Sequence, residues 1–162
     1  MNDNSLDALA AQAVADGDDA ELRAILTEVC DLTGMGFAAI ARVTEQRWIA
    51  CQVLDKIEFG LDPGDELAIA TTICNEIREC GHAIVIDEVS ADEDWRRHPV
   101  PALYGFESYA SFPVFLADGS FYGTLCAIDP VPRALSASQT IARLEAAALR
   151  VSNILSRRRL PA

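Results

Sequence analysis

The chain has 162 residues, of which 51% are hydrophobic and 23% are charged, which is the composition of one globular domain with a single core. Its 25 Asp and Glu residues outnumber 13 Lys and Arg residues and give a net charge of −12, so its surface repels phosphate backbones and anionic lipid heads. We therefore expect a soluble cytoplasmic protein that binds neither nucleic acid nor membranes.

The first half of the chain is predicted to form two helices and a hairpin. Residues 1–18 are rich in alanine and only weakly helical. Residues 19–33 carry apolar side chains at helical spacing, begin at acidic capping residues and stop before Gly34. The apolar runs 37–44 and 47–55 are of β type, and the two polar residues between them predict a hairpin.

The second half is predicted to form a helix at 66–80, a short buried strand at 83–89 and a long loop at 90–107. The loop has mixed charge, two prolines and three aromatic residues, which is typical of a functional loop rather than of a plain connector. The runs 108–116 and 120–129 are predicted to form a second hairpin that turns at Gly119. A final helix follows at 136–158 and is capped by Ser136.

These elements fit an α+β domain in which an antiparallel sheet carries helices on one face. Strands and helices do not alternate as in a parallel sheet, and no internal repeat or low-complexity linker divides the sequence. We assign residues 1–18 to an N-terminal extension, 19–158 to the domain and 159–162 to a C-terminal tail.

The final helix has a narrow apolar stripe. Its members recur at alternating steps of three and four residues, the spacing of a helix–helix seam: Ile141, Leu144, Ala148, Val151 and Leu155. Such a stripe on a long terminal helix favours a homodimer built from this helix and the helix at 19–33. Packing on the chain's own sheet is the alternative that the spacing leaves open.

Metal and nucleophile motifs are weak in this sequence. Cys74, Cys80 and His82 are neighbours in sequence, but six residues of helix turn the two cysteines to different faces, so we expect no metal site. We expect no catalytic residue either, because no nucleophile signature and no glycine-rich phosphate loop occurs. The five cysteines, odd in number and scattered through apolar runs, indicate reduced, packed thiols.

Residues 87–112 are rich in aromatic and polar side chains around the predicted long loop. Small-molecule pockets combine apolar and aromatic walls with a few polar groups. We therefore predict a ligand pocket here, with two further wall residues from the second strand. Its candidate residues are Trp48, Cys51, Asp87, Asp94, Trp95, Tyr104, Phe106, Tyr109 and Ser111.

Two runs of the sequence, TTICNEIRECGHAIVIDEVSADEDWRRHP and YGFESYASFPVFLADGSFYGTLCAIDP, resemble the GAF domains of bacterial sensor histidine kinases and related signalling proteins. The resemblance rests most on the hairpin motif GTLCAIDP and on Cys74, Asp87 and His98-Pro99. It covers residues 20–158.

The resemblance implies a fold and a binding site. The fold is a central six-stranded antiparallel sheet, with the N- and C-terminal helices on one face and a ligand pocket under a long loop on the other. Cys126 would be a packing thiol in a central strand, and Asp129-Pro130 would end the sheet. By position, the resemblance adds Ile73, Cys74 and Ile77 to the pocket.

As a function, the resemblance implies a non-enzymatic regulatory domain that binds a small molecule non-covalently and passes its state through the helices of a homodimer. Its partner would be a histidine kinase or another signalling protein, either in trans or as part of a longer chain. A covalently attached bilin is not favoured, because Cys74 is followed by Asn75 rather than His and no Asp-Ile-Pro motif occurs. Two alternatives stay open: a stand-alone free methionine-(R)-sulfoxide reductase that uses pocket cysteines, and a ligandless scaffold for dimerisation or partner docking.

Overall fold

The computed structural model describes residues 7–68 and 72–158, and its centre is a six-stranded antiparallel sheet. Neighbouring strands follow the order β3-β2-β1-β6-β5-β4. The strands are β1 (Phe37–Val43), β2 (Arg47–Asp55), β3 (Glu66–Ala68), β4 (Ile84–Ile86), β5 (Ser108–Phe115) and β6 (Phe121–Asp129). Both predicted hairpins and the α+β fold class are confirmed.

Three helices cover one face of the sheet and two short helices cover the other. The helices are α1 (Ala8–Gly17), α2 (Ala20–Thr33), α3 (Cys74–Cys80), α4 (Pro99–Tyr104) and α5 (Ser138–Arg158). The sheet shares one buried apolar core with α1, α2 and α5, and α3 and α4 lie over a second core. Because the central strands are buried on both faces, their sequences are nearly continuous apolar runs.

Cys51 and Tyr122 belong to the core on the helical face of the sheet, and each is the unpaired residue at a β-bulge, in β2 and β6 respectively. Cys51 Sγ lies 3.3 Å from Tyr122 Oη, and the Tyr122 hydroxyl donates to the Asp16 carboxylate at 2.7 Å. Cys51 was predicted to line the pocket, but it packs against α1 on the opposite face of the sheet.

The N-terminal helix α1 is packed more closely than its sequence indicates. Its last two residues, Asp16 and Gly17, are buried, and the Gln52 side-chain amide donates to the Gly17 carbonyl at 2.9 Å. A Cβ at Gly17 would lie 2.2 Å from the Cys51 carbonyl oxygen, so there is no room for a side chain. The predicted extension therefore contributes a helix to the core that the sheet shares with α2 and α5.

Acidic residues fix the ends of α2 and β6. Asp19 accepts hydrogen bonds from the second and third backbone N–H groups of α2, at 2.8 and 3.1 Å, as an N-cap does. Asp129 is 3% exposed and accepts from the backbone N–H groups of Gly36 at 2.7 Å and Val131 at 2.8 Å. Asp129 thus ties the turn between α2 and β1 to the end of the sheet.

The predicted helix at 66–80 is wrong in its first part. Glu66–Ala68 forms β3 and pairs with the edge of β2, where the Arg47 guanidinium donates two hydrogen bonds to the Glu66 carboxylate at 2.9 and 2.6 Å. Cross-strand pairing overrides the helical spacing here, and the helix is confined to Cys74–Cys80. Residues 69–71 of the prediction lie outside the described residues.

The predicted long loop at 90–107 contains ordered turns of helix. A 3₁₀ turn covers Val89–Ala91, and α4 begins at Pro99. Prolines are suited to the first turn of a helix, where no N–H donor is needed, and His98 Nδ1 accepts from the Val100 N–H at 3.2 Å. The prolines therefore start a helix that the sequence analysis missed.

Helix α5 begins at Ser138 rather than at Ser136, and its apolar stripe faces inward. Leu144, Ala148, Val151 and Leu155 are between 0% and 6% exposed in the core shared with α2 and the sheet. Ile141 is partly buried and packs against the same core. The predicted dimer seam is therefore used for packing within the chain, which is the alternative that the spacing had left open.

Candidate functional site

A small cavity lies between the second face of the sheet and the helices α3 and α4. Its volume is about 50 Å³. Among the described residues its lining has no Asp, Glu, Lys, Arg or His and comprises Phe37, Trp48, Phe59, Leu61, Leu67, Thr72, Ile73, Cys74, Val100, Tyr104, Phe106, Tyr109, Cys126 and Ile128. The cavity therefore suits an uncharged and largely apolar group.

An open groove of about 420 Å³ adjoins this cavity. The groove and the cavity share six lining residues: Phe59, Leu61, Leu67, Tyr104, Phe106 and Ile128. These side chains form the wall between the cavity and the surface. On its outer side the groove is bordered by Glu58, Leu103 and Pro130, so a ligand that enters here passes from a mixed surface to an apolar interior.

Polar side chains surround the thiol of Cys74 at the inner end of the cavity. Cys74 is the first residue of α3 and is 3% exposed. Its Sγ lies 3.2 Å from Thr124 Oγ1, 3.5 Å from Tyr109 Oη and 3.7 Å from Ser111 Oγ. These residues belong to the neighbouring strands β5 and β6, and the alternation of side chains along each strand places them on one face.

This environment favours the thiolate of Cys74. Hydrogen bonding with Cys126 is the largest influence and, together with Thr124 and Tyr109, it outweighs the effect of burial and lowers the pKa of Cys74 to about 6. The interaction with Cys74, together with burial, raises the pKa of Cys126 well above its ordinary value. Ionisation is therefore favoured at Cys74 over Cys126.

Trp48 contributes a polar group to the cavity that the protein itself does not use. The side chain is buried, and its Nε1–H has no hydrogen-bond partner among the described residues. The indole lies near enough to Cys74 to favour the thiolate without reaching hydrogen-bond geometry. Because buried donors are normally paired, this N–H is available to an acceptor atom of a ligand.

The sequence and the fold agree with a known family. A profile of the GAF domain matches residues 19–155. The chain belongs to the GAF domain family. GAF domains are sensor domains of signalling proteins. No curated protein matches this GAF domain.

Solved structures share the fold of this GAF domain at low sequence identity. The GAF domain of an Acinetobacter phosphoenolpyruvate-protein phosphotransferase has a TM-score of 0.66 at 12% identity, covering 91% of this chain and 90% of that one. The type II free methionine-R-sulfoxide reductase from Thermoplasma acidophilum has a TM-score of 0.64 at 11% identity, and the match covers 92% of this chain and 96% of that one. The chromophore-binding domain of the Stigmatella aurantiaca bacteriophytochrome has a TM-score of 0.67 at 16% identity, and the match covers 92% of this chain and 60% of that one.

Most of the residues predicted for the pocket lie at the cavity of this GAF domain. Those that line it are Trp48, Ile73, Cys74, Tyr104, Phe106 and Tyr109. Ser111 lies behind the lining and reaches the Cys74 thiol. Ile77 is a fully buried residue of α3 but is not part of the lining.

Asp87 has a different place from the one predicted. It follows β4, and its carboxylate accepts hydrogen bonds from the Leu135 N–H at 2.9 Å and the Ser136 hydroxyl at 2.6 Å. The Asp87 carbonyl accepts a further bond from the Arg133 N–H at 3.0 Å. Asp87 therefore fixes the connection between β6 and α5 instead of lining the cavity.

Two other predicted residues also lie away from the cavity. Trp95 lies against His98, with 4.8 Å between the ring centroids and 46° between the ring planes, and does not contribute to the lining. Asp94 is exposed on the same turn. Both residues belong to the segment that leads into α4, and Trp95 packs against the second core without lining the cavity.

The sequence analysis gave no pocket role to Cys126, which lines the cavity, and described it only as a packing thiol. The alternation along the strands could have found it, because Cys126 pairs with Ser111 and Ile128 pairs with Tyr109 across β5 and β6. Phe59 and Val100 come from a loop and from α4. Nothing in the local pattern of the sequence fixes their direction.

Cys74, Cys80 and His82 do not come together in the structure. Cys74 lies inside the cavity, whereas Cys80 is exposed and accepts a hydrogen bond from the His82 backbone N–H at 3.4 Å. Within residues 7–68 and 72–158, no three His, Cys, Asp or Glu side chains are grouped in a way that would hold a metal ion. Over the same ranges, no helix has the length and apolar character needed to cross a membrane.

Proposed function

We propose that this GAF domain is a regulatory sensor that binds an uncharged small molecule non-covalently in the cavity beneath α4. The observation that carries the proposal is the buried Trp48 Nε1–H, which has no partner among the described residues and belongs to an otherwise apolar lining. A ligand with one acceptor atom would pair this donor, and burial of its apolar part would supply most of the binding free energy.

The volumes indicate the shape of such a ligand. The inner cavity of about 50 Å³ holds only a small group, whereas the adjoining groove of about 420 Å³ has room for a larger body. A narrow apolar head with an acceptor atom would enter the cavity, and a more polar remainder would lie in the groove. A linear tetrapyrrole would not fit the cavity unless α4 moved away.

Asp87 offers a route from the ligand to α5. The segment that covers the cavity begins directly after Asp87, and the same residue holds the backbone at Leu135 and the hydroxyl of Ser136. Displacement of α4 by a ligand would therefore also displace the backbone at the start of α5. A sensor needs such a coupling between two sites, and we extend the proposal to a homodimer and to a histidine kinase or similar partner that reads α5.

A thermal-shift screen of uncharged metabolites with the reduced protein, paired with native mass spectrometry, tests the proposal. A binder should raise the melting temperature, and Trp48→Phe should weaken its binding by about tenfold because one buried hydrogen bond is lost. Trp95→Phe is the matched control and should bind normally. The proposal fails if the native mass is that of the bare chain and no compound raises the melting temperature.

The coupling has its own test by hydrogen exchange. Asp87→Ala should leave the affinity for a binder unchanged, because Asp87 does not line the cavity. The same variant should lose the change in protection that the binder causes at the first turn of α5. If the change in protection persists in Asp87→Ala, the signal takes another route.

One observation favours a second candidate function, a free methionine-(R)-sulfoxide reductase. Cys74 and Cys126 interact in the cavity, and a solved reductase of this type shares the fold. Against it, the described lining has no Asp, Glu, Lys, Arg or His to pair with the ammonium and carboxylate groups of a free amino acid. Thiol-dependent loss of free methionine sulfoxide that disappears in Cys74→Ser would support the reductase, and inertness with reductant present would dismiss it.

A further inference from the structure

Two cysteines that are far apart in sequence meet at the inner end of the cavity. Cys74 comes from the start of α3 and Cys126 from the middle of β6, and both line the same space. We infer that Cys74 and Cys126 form a reactive dithiol that small hydroperoxides oxidise to an intramolecular disulfide. This inference goes beyond ligand sensing and does not depend on it, because it needs no non-covalent ligand.

The geometry separates the roles of the two thiols. The Cys74 sulfur is within 3.2 Å of Thr124 Oγ1 and 3.5 Å of Tyr109 Oη, and both hydroxyls can donate to a thiolate. Cys126 interacts with Cys74 and holds its own proton more tightly than a free thiol. Cys74 is therefore the nucleophile and Cys126 is the resolving thiol.

The reaction balances in two steps. The Cys74 thiolate attacks one oxygen of the hydroperoxide, the O–O bond breaks, and the leaving oxygen takes up a proton to give water or an alcohol, while Cys74 becomes a sulfenic acid. The Cys126 sulfur then attacks the Cys74 sulfur, the S–S bond forms, and the hydroxyl of the sulfenic acid leaves as water with the proton of Cys126. Two electrons pass from the two thiols to the hydroperoxide.

The other cysteines do not offer this arrangement. Cys51 is held by Tyr122 beneath α1, and burial raises its pKa to about 12. Burial also raises the pKa of Cys30, which packs in the core on the same face of the sheet. Cys80 is exposed and hydrogen-bonds with the backbone of His82. Only Cys74 and Cys126 line one cavity together, and Cys126 pairs across the sheet with Ser111, whose hydroxyl lies 3.7 Å from the Cys74 sulfur.

The cavity also selects the class of oxidant. Its volume of about 50 Å³ admits a molecule the size of hydrogen peroxide, and its described lining, which has no Lys, Arg or His, disfavours anionic or bulky oxidants. The shared wall of Phe59, Tyr104 and Phe106 separates the thiols from the open groove. A hydroperoxide can therefore reach Cys74, whereas a protein thiol or a folded reductase cannot reach the disulfide without movement of α4.

The test uses the full chain, reduced, freed of reductant and treated at neutral pH with a stoichiometric amount of hydrogen peroxide. Free thiols are then alkylated under denaturing conditions, and the peptides are mapped without reduction. We expect a peptide pair that joins Cys74 to Cys126. The intact mass of the oxidised chain, measured before alkylation, should be lower by two hydrogen atoms, and dithiothreitol should reverse the cross-link. The inference is overturned if Cys74 and Cys126 remain alkylatable while Cys80 is oxidised.

Variants separate the two steps. Cys126→Ser should lose the cross-link and leave a sulfenic acid on Cys74 that dimedone traps, whereas Cys74→Ser should slow oxidation of Cys126 by at least about tenfold because the nucleophile is gone. Cys80→Ser is the matched control and should keep the full cross-link. A cross-link that joins Cys74 to any other cysteine would contradict the pairing. Since the ligand screen is run on reduced protein, failure here leaves the proposed sensor function standing.

Discussion

Two buried cysteines of this chain show how neighbouring groups, rather than burial alone, decide the chemistry of a residue. Cys51 and Cys74 are both at most 3% exposed. Burial raises the pKa of Cys51 to about 12, because the opposing hydrogen bond with Tyr122 does not offset it. Cys74 has Cys126 and several hydroxyl donors around it, and its pKa falls to about 6.

The lowered pKa of Cys74 predicts a pH dependence of stability. In the unfolded chain the thiol keeps its proton up to a pH of about 8.5, so between pH 6 and 8.5 the unfolded state binds more protons than the folded state. The stability that this group contributes is therefore fully present above that range and is lost as the pH falls through 6. Relative to Cys74→Ser, the free energy of unfolding of the wild type should therefore rise between pH 5.5 and 8.5.

Urea unfolding of both proteins at the two pH values, with reductant present, measures this difference. Cys51→Ser is the matched control: its thiol is protonated in the folded state throughout the range, so its difference from the wild type should not change with pH. A difference for Cys74→Ser that stays constant or shrinks as the pH rises would mean that Cys74 is a thiol in the folded protein.

Among the elements, α1 is the one whose role depends most on contacts remote in sequence. It meets β2 through Gly17 and Gln52, and the buried carboxylate of Asp16 accepts from Tyr122 on β6. A single added methyl group at Gly17 would collide with the Cys51 carbonyl. The helix therefore depends on a close backbone approach that only glycine permits.

Gly17→Ala should lower the free energy of unfolding by ~2–3 kcal/mol, because the packed backbone has to move to accept the side chain. Hydrogen exchange should also show faster exchange over 8–17. Gly119→Ala is the control, since a Cβ there meets nothing within 4 Å and the cost is only that of its positive φ of 86°. Equal losses for the two variants would show that α1 is not held by this approach.

The same contacts explain which elements the sequence could predict. Helix α2, both hairpins and the presence of α5 follow from periodicity and capping, because Asp19, Gly34 and the apolar stripe act locally. The spacing of the stripe favoured a homodimer seam, whereas in the structure the stripe packs within the chain. β3 and α4 could not be predicted in this way, since β3 exists through its pairing with β2, and α4 starts at the proline that marks a break in most sequences. For the site, the aromatic wall was predictable, whereas Cys126 required the register of β5 and β6.

At the scale of the whole molecule, the sheet divides the domain into a helical core and a ligand-sized cavity. Inward packing of the α5 stripe leaves few large apolar side chains on the surface of the described residues: Leu103, Phe115, Val131 and Leu149. Phe115 and Leu149 border the same surface depression beside α5. A homodimer built on α5 therefore has to use Leu149 and its surroundings rather than the predicted seam.

The homodimer thus becomes testable by two substitutions on one helix. Leu149 is 62% exposed and Leu144 is 1% exposed. Leu149→Glu should convert a dimer to a monomer with a change in stability of less than about 0.5 kcal/mol, whereas Leu144→Glu should destabilise the fold by more than about 4 kcal/mol because it buries an unpaired charge. Asn153→Glu, an exposed position on the same helix, is the control for added charge. Light scattering after size exclusion, at several protein concentrations, measures the oligomeric state of each variant. A wild type that is monomeric at every concentration, or an equal loss of dimer in Asn153→Glu, would exclude Leu149 as the dimer contact. Helix α5 would then transmit a signal within a single chain.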